Sequence, residues 1–226
     1  MLFYIRKSFV CSFCGGKHYS GMRFKNGCGI CDECNKSISR TPPNGTFAGS
    51  TNVSYVISAL FYEGKVRDAI MNCKFNGWSG NCDVFAYIMG EYVKNFPHLS
   101  EFDLAIPVPL SRERLCERGF NQSQKFTRAI AETAGIAYSE NTLFKIRNNK
   151  RQSRLSESER AINVKGAYMA TDVVSGKRII LSDDIYTSGA TLEECASELK
   201  KAGALDVIGV TLSIKCKKEK NEFMRY

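Results

Sequence analysis

Residues 178–191 constrain the fold of this chain more than any other stretch. They begin with an apolar run at residues 179–181, which is typical of a strand buried on both faces of a sheet. Asp183 and Asp184 follow this run. A series of small residues then precedes a helical pattern that starts at Leu192: Thr187, Ser188, Gly189, Ala190 and Thr191. A buried strand, a tight turn and a helix in this order predict one unit of an α/β sheet.

The same stretch has the properties of a site for a sugar phosphate. Backbone N–H groups at the helix start and the helix dipole favour an anion, by about 0.3–1 kcal/mol for the dipole alone, and Gly189 lets the backbone approach it closely. Asp183 and Asp184 would repel a phosphate, but they can bind sugar hydroxyls, hold a divalent cation or stabilise a developing positive charge. The alternative is structural, with Asp183 at a strand end and Thr187 or Thr191 as a helix cap.

Five cysteines within residues 11–34 indicate a small metal-binding module. Two pairs have two residues between the partners: Cys11 with Cys14, and Cys31 with Cys34. Cys28 with Cys31 has the same spacing and is an alternative second pair. Four thiolates on two short turns suit tetrahedral zinc. Because few large apolar side chains lie here, we expect folding of the module to depend on the metal, which typically contributes about 10–16 kcal/mol.

Composition disfavours several other classes of protein. No apolar run approaches the ~20 residues of a membrane span, and no signal-peptide pattern is present, so we expect a cytoplasmic protein without membrane insertion. Only two histidines occur, which disfavours a Ser/His or Cys/His hydrolase. No Gly-x4-Gly-Lys-Ser/Thr loop supports a Walker ATPase. The net charge of +9 fits either a nucleic-acid partner or a solvated basic surface.

The pattern along the chain predicts two units. Residues 40–52 are rich in Pro, Gly, Thr, Ser and Asn, a composition typical of a linker. We expect a zinc-binding module with this linker at residues 1–45 and a larger domain at residues 46–226. From residue 56 onward, short apolar segments alternate with helical patterns, which predicts a mostly parallel sheet with helices on both faces. Ligands bind such sheets beyond the carboxyl ends of the strands.

Two arginine-rich segments can meet an anion bound at that edge. The first follows a predicted strand that ends in Pro-Val-Pro, and it contains Arg112, Arg114 and Arg118. It fits a phosphate clamp and equally a charged helical turn. The second, residues 147–154, has four basic residues and no acid. It is either a solvated loop or a lid that closes on an anion.

Several of these segments resemble one known family. Residues 182–191 are similar to the ribose-phosphate motif of type I phosphoribosyltransferases. Three further segments are similar to the ComF family of competence-related phosphoribosyltransferase-like proteins: residues 106–110, residues 118–123, and Gln152 with Arg160 and Asn163. That family also carries an N-terminal four-cysteine zinc module. The resemblance therefore covers nearly the whole chain.

The resemblance implies a type I phosphoribosyltransferase fold and a set of contacts. Asp183 and Asp184 would be the catalytic carboxylates that hold the ribose hydroxyls of phosphoribosyl pyrophosphate. The 5′-phosphate would be cradled by Thr187, Ser188, Gly189, Ala190 and Thr191. Arg112 and Arg118 would lie near the pyrophosphate, with Mg2+ bridging. Residues 147–154 would form a hood that closes during the reaction.

Two functions are compatible with this resemblance. The first is an active phosphoribosyltransferase that uses Mg2+ and carries a structural Zn2+. The second is an accessory protein of DNA uptake, whose transferase fold is a ligand-sensing or vestigial scaffold, with single-stranded DNA or competence-machinery proteins as partners. Displacing pyrophosphate requires no protein nucleophile, because carboxylates can stabilise charge on the sugar while metal and arginines stabilise the leaving group.

Overall fold

The computed structural model describes residues 7–76, 79–148 and 157–215. Within this part, the N-terminal module consists of β1 (Phe9–Cys11), β2 (Lys17–His18), β3 (Gly21–Arg23), β4 (Cys28–Cys31) and α1 (Asp32–Ser37). The strands lie in the order β2-β1-β4-β3. β1 and β4 run parallel and side by side. This pairing brings the two cysteine pairs, which are distant in sequence, next to each other.

The larger unit comes next in the chain. Its elements within the described residues are β5 (Thr46–Ala48), β6 (Tyr55–Phe61), α2 (Gly64–Phe75), α3 (Asn81–Val93), a 3-10 turn (Pro97–Glu101), β7 (Leu104–Pro107), α4 (Arg112–Arg118), α5 (Gln122–Ala134), β8 (Ala137–Tyr138), β9 (Leu143–Lys145), α6 (Glu157–Val164), β10 (Tyr168–Ala170), a 3-10 turn (Asp172–Val174), β11 (Arg178–Tyr186), α7 (Ala190–Lys201) and β12 (Asp206–Ile214).

A six-stranded sheet organises these elements in the described part of the chain. Its order is β5-β6-β12-β11-β7-β8. β5 is antiparallel to β6, and the other neighbours are parallel. Helices cover both faces, so the predicted α/β class with a mostly parallel sheet is confirmed. β7 and β11 are neighbours in this order and run parallel, so the segments after their carboxyl ends lie close together.

Two details differ from the sequence prediction. β11 does not end before the aspartates, because β12 pairs with it as far as Tyr186. The predicted linker is partly ordered structure, since β5 pairs with β6. Both differences arise where tertiary pairing overrides local composition. The first arginine-rich segment is helical, as one of its two interpretations predicts: it forms α4, capped by Ser111, whose hydroxyl accepts a hydrogen bond from the Arg114 backbone N–H at 3.4 Å.

Two short strands of the described part lie outside the main sheet. They are β9 and β10, which form a separate antiparallel pair, and Val164, shortly before β10, ends α6. Of the predicted hood, only residues 147 and 148 are described, and residues 149–154 lie outside the described part, as does Gln152 of the family resemblance.

Two apolar layers hold the unit together. One lies between the sheet and α7 with β9 and β10. The other lies between the sheet and α2, α3 and α5, and it continues without a break into the N-terminal module. Phe13 of the module packs edge-on against Phe85 of α3, with 5.9 Å between ring centroids. The module is therefore docked on the larger unit by core packing. No helix in the described ranges combines the length and apolar character that a membrane span requires.

Candidate functional site

A cavity of about 380 Å³ opens at the carboxyl ends of β7 and β11. Its walls come from these strands and from α2, α4, β9, β10 and the start of α7. The predicted residues that line it are Arg118, Asp183, Asp184, Thr187, Gly189, Ala190 and Thr191. Parallel strands end at the same edge, so this convergence follows directly from the sheet order.

Asp184 forms an ion pair with Lys74, which comes from the last turn of α2. The distance from Lys74 Nζ to Asp184 Oδ2 is 2.7 Å, and both side chains are largely covered, with 14% and 15% exposed. A pair so far removed from solvent is screened much less than a surface pair. It fixes the position of one carboxylate at the floor of the cavity.

Asp183 is half-buried beside this pair. Its Oδ1 accepts a hydrogen bond from the Asp184 backbone N–H at 2.8 Å and a longer one from Ser123 Oγ at 3.4 Å. Burial, followed by the neighbouring charge of Asp184, raises the pKa of Asp183 to about 7, against the opposing effect of Lys74. A carboxyl that retains its proton near neutrality is typical of functional sites.

We expect Asp183→Asn to raise the melting temperature at pH 8 and leave it unchanged at pH 4. The folded-state pKa lies above the unfolded value, so the native state binds the proton more tightly, and wild-type stability falls as pH rises from about 4 to 7. The asparagine side chain stays neutral at every pH, so Asp183→Asn avoids the loss of stability that the ionised carboxylate causes in the wild type. Thermal unfolding at both pH values, with the exposed Asp172→Asn as control, checks the prediction. An equal shift at both pH values would contradict it.

The turn between β11 and α7 has the geometry of an anion site. Gly189 is the residue before α7 and has φ of 77°, a conformation that favours glycine. A Cβ at this position would lie 2.8 Å from Tyr186 Oη. Ser188 does not line the cavity, but its hydroxyl is buried and has no hydrogen-bond partner among the described residues. Buried polar atoms are normally paired, so this hydroxyl can form a new hydrogen bond when the turn rearranges.

Two arginines of α4 reach the cavity, and they are only partly the predicted ones. Arg114 and Arg118 line it, whereas Arg112 is exposed and is not part of the wall. Arg118 stacks over the Phe75 ring at 5.2 Å and donates to Gln122 Oε1 at 3.2 Å. Residues 114 and 118 are four apart and share a helix face, but residue 112 points away from it.

Sequence reasoning missed three lysines in the walls, Lys74, Lys145 and Lys215. A signal exists for the first two. Lys74 follows the apolar stripe of α2 and stands four residues after the buried Ile70, and Lys145 stands two residues after the buried Leu143 in β9. A lysine on the inward side of a helix or strand is uncommon and indicates a buried partner or a cavity.

The N-terminal module brings together the four predicted cysteines, Cys11, Cys14, Cys31 and Cys34. Their sulfur atoms all lie within 4.8 Å of one another, as a tetrahedral metal site requires. Cys28 is not part of this group, and the sulfurs of the group therefore favour the pair Cys31/Cys34. The chemistry of the donor set, four clustered thiols, fits a metal ion.

Two side chains that can donate hydrogen bonds lie beside this sulfur cluster. His18 Nε2 lies 3.2 Å from Cys14 Sγ. Lys65, at the start of α2, places its Nζ 3.6 Å from Cys34 Sγ and 3.7 Å from Glu33. Four thiolates around a divalent ion carry net negative charge, so a cation at this distance is favourable, and outer contacts of this kind orient metal ligands.

The chain is similar to proteins of two kinds, phosphoribosyl transferases and proteins named for competence or DNA utilization. A phosphoribosyl transferase domain matches residues 123–224. Competence protein ComFC of Streptococcus pneumoniae (strain ATCC BAA-255 / R6) is 33% identical over 150 residues, which are 66% of this chain and 64% of that protein. DNA utilization protein YhgH of Salmonella typhi is 34% identical over 105 residues, 46% of each chain.

A solved structure, the glutamine phosphoribosylpyrophosphate amidotransferase from B. subtilis complexed with ADP and GMP, is 26% identical. The match covers 51% of this chain and 24% of the amidotransferase chain, with a TM-score of 0.35. The chain spans less than two thirds of the length of each of these three proteins.

Proposed function

We propose that this chain, which belongs to the ComF family of phosphoribosyltransferase-like proteins, binds phosphoribosyl pyrophosphate with Mg2+ and transfers its phosphoribosyl group to an acceptor. One observation carries the proposal: the small-residue turn before α7 and two carboxylates line the same cavity. The turn from Thr187 to Thr191 offers backbone donors at a helix N-terminus for the 5′-phosphate. Asp183 and Asp184 offer acceptors for the two ribose hydroxyls.

The transfer is a substitution at the anomeric carbon. The bond from that carbon to the pyrophosphate oxygen breaks, pyrophosphate leaves with the electron pair, and the acceptor's nucleophilic atom forms the new bond. Positive charge builds on the ribose, and Asp183 and Asp184 are placed to stabilise it. Mg2+ bound together with the substrate would supply positive charge to offset the charge on the leaving group. Arg114 and Arg118 add positive charge to the same cavity.

In this proposal the four-cysteine group holds Zn2+ in a structural role. Four protein ligands fill a tetrahedral coordination sphere and leave no open position for catalysis. The sulfur cluster also lies in the N-terminal module, whereas the cavity lies at the edge of the main sheet. The metal would therefore stabilise the N-terminal module and its packing against the larger unit. The cytoplasmic location stays a prediction from the sequence.

The names of the relatives favour a second candidate function. They are a competence protein and a DNA utilization protein, and the chain carries a net charge of +9. In this alternative the protein assists DNA uptake and binds single-stranded DNA or partner proteins, and the cavity senses a phosphoribosyl ligand without turning it over. Affinity for single-stranded DNA should then fall steeply with salt, because phosphate contacts release counterions.

Calorimetric titration with phosphoribosyl pyrophosphate and Mg2+ tests the proposal. We expect the wild type to bind and Asp184→Asn to bind about tenfold more weakly, since an ionised acceptor makes roughly twice as strong a hydrogen bond as a neutral one. The exposed Asp172→Asn should bind like the wild type. Absence of binding to the wild type would refute the ligand site. Binding without pyrophosphate release, across a panel of nucleobases and amines, would favour the accessory function.

A further inference from the structure

Three consecutive polar residues at the start of α5 have no role in the proposed function. Asn121, Gln122 and Ser123 lie within one of the segments that resemble the ComF family. They are 5%, 2% and 3% exposed, although such side chains are mostly exposed in proteins. The helix start requires only the cap, which Asn121 supplies by accepting a hydrogen bond from the Ser123 backbone N–H at 3.1 Å. Helix formation therefore does not explain the burial of the other two side chains.

The side chain of Asn121 also fixes the segment that follows β7. Its Nδ2 donates a hydrogen bond to the carbonyl of Val108 at 3.0 Å. The Val108 backbone N–H in turn donates to the carbonyl of Ser182 at 2.8 Å, directly before Asp183. Val108 and Asp183 both line the cavity. The cap of α5 therefore ties one wall of the cavity to the strand that carries the aspartates.

Gln122 holds an arginine of the cavity wall. Its Oε1 accepts a hydrogen bond from Arg118 Nη1 at 3.2 Å, and the Arg118 guanidinium lies 5.2 Å from the centre of the Phe75 ring. The Nε2 of Gln122 is buried and has no hydrogen-bond partner among the described residues. A buried amide that leaves a donor unpaired costs stability. The fold alone thus does not favour glutamine here, whereas its acceptor oxygen gives Arg118 a fixed partner.

Ser123 contacts one of the two aspartates. Its Oγ donates a hydrogen bond to Asp183 Oδ1 at 3.4 Å. Burial and the charge of Asp184 raise the pKa of Asp183 to about 7, whereas Lys74 and the Ser123 hydroxyl lower it. A hydrogen bond to a carboxylate favours its ionised form, and an ionised carboxylate is the stronger acceptor. The hydroxyl therefore acts on the state of Asp183 without lining the cavity itself.

We propose that the first turn of α5 is the positioning element of the cavity, in which Ser123 holds Asp183 as an acceptor for a ribose hydroxyl and Gln122 holds Arg118 in the wall. The inference rests on the proposed function, because ribose binding by Asp183 is part of it. Gln122 and Ser123 do not line the cavity, so both act through the residue that they contact. Because they are adjacent on one helical turn, they keep the carboxylate and the guanidinium at a fixed separation.

Ser123→Ala tests the contact with Asp183 through the pH dependence of binding. Losing the hydrogen bond should raise the pKa of Asp183 by about half a unit or more. We therefore expect Ser123→Ala to bind ribose 5-phosphate about threefold or more weakly than the wild type at pH 6. At pH 9 Asp183 is ionised in both proteins, and their affinities should be equal. Calorimetric titration at both pH values measures the ratio, and a ratio that is the same at pH 6 and pH 9 would refute the role of Ser123.

A spectroscopic measurement reports the same contact without a ligand. The pH titration of the Asp183 carboxyl carbon by NMR, with the signal assigned by its absence in Asp183→Asn, should shift to higher pH in Ser123→Ala. The other titratable groups that interact electrostatically with Asp183 are unchanged in this variant and act equally in both proteins: Lys74, Lys145, Tyr168, Asp184 and Cys195. An identical carboxyl titration in the two proteins would also refute the role of Ser123.

Thr127→Val is the matched control. Thr127 lies one turn further along α5, is fully buried, and donates its hydroxyl hydrogen bond to the Ser123 carbonyl at 2.6 Å. The substitution removes a buried hydroxyl from the same helix but leaves the contact with Asp183 in place. We expect it to change the melting temperature and to keep the wild-type affinity at pH 6 and pH 9. If Thr127→Val reproduces the loss at pH 6, the loss comes from helix stability and the proposal fails.

A double-mutant cycle tests the contact between Gln122 and Arg118. Gln122→Met keeps a side chain of similar length and removes the acceptor oxygen. We expect it to bind phosphoribosyl pyrophosphate with Mg2+ about tenfold more weakly than the wild type. In Arg118→Met the same substitution should cause no further loss, because Gln122 acts through Arg118. Losses that simply add in the double variant would refute this part of the proposal.

These experiments separate the positioning role from the proposed function. If the wild type binds both ligands, and Ser123→Ala and Gln122→Met bind them equally well, the positioning role is refuted and the proposed function stands. If the wild type binds neither ligand, the proposed function fails and the positioning role fails with it. A pH-dependent loss in Ser123→Ala, a shifted Asp183 titration and a non-additive cycle together support the proposal.

Discussion

We expect Gly189→Ala to weaken ribose 5-phosphate binding by about 100-fold, an effect that a small displacement of a positioned group can produce. Gly189 has φ of 77°, and a Cβ there would lie 2.8 Å from Tyr186 Oη and 3.1 Å from two carbons of its ring. The turn must move to accommodate the methyl group. Its backbone donors then no longer point at the site of the 5′-phosphate. Calorimetric titration with ribose 5-phosphate measures the loss.

Gly135→Ala is the matched control. Gly135 has φ of 71°, and a Cβ there would meet no atom within 4 Å. It ends α5, away from the cavity. Both substitutions place an L residue in the left-handed region, at about 1–2 kcal/mol each, so both should lower the melting temperature, and Gly189→Ala should lower it further because its Cβ also meets Tyr186. Only Gly189→Ala should lose the ligand. Equal binding by the two variants would contradict the assignment of the turn as the phosphate site.

The parts of this protein that sequence predicts well are those specified by neighbours in the chain. The buried run, the two aspartates and the small-residue turn of β11 and α7 are contiguous, so their pattern alone indicates a strand, a turn and a helix. The cysteine pairs are equally local, because two residues between partners fit one short turn. A mostly parallel sheet is then expected from the alternation of strands and helices, and parallel strands bring the turn and α4 to the same edge.

The remaining site residues depend on contacts between distant segments. Lys74 meets Asp184 only because α2 packs under the sheet edge, and Lys145 reaches the cavity only because β9 pairs with β10 outside the main sheet. Nothing in either local sequence specifies those neighbours. Which arginines of α4 face the cavity depends on where the helix starts, and Ser111 sets that start as the helix cap. Local patterns thus predict the turn, whereas tertiary packing determines the charges around it.

We expect Cys34→Ser to abolish metal retention and to lower the melting temperature by about 10–20 °C, the largest effect on stability among the changes considered. Four sulfurs within 4.8 Å of one another form the metal group, and removing one leaves three ligands and an open position. Phe13 still packs on Phe85, so we expect the module to become less ordered while the main sheet stays folded. Metal content per chain and thermal unfolding measure the two effects.

Cys28→Ser is the control for this change, since Cys28 lies in the same module but outside the sulfur group. It should keep about one metal ion per chain and melt near the wild type. Equal metal content in the two variants would refute the four-thiolate site.

Cys34 also contacts Lys65 at the start of α2, and Lys74 near the end of the same helix holds Asp184. The two lysines are about 13 Å apart along the helix, so a loosened module should also weaken ribose 5-phosphate binding several-fold, because α2 transmits its displacement to the floor of the cavity.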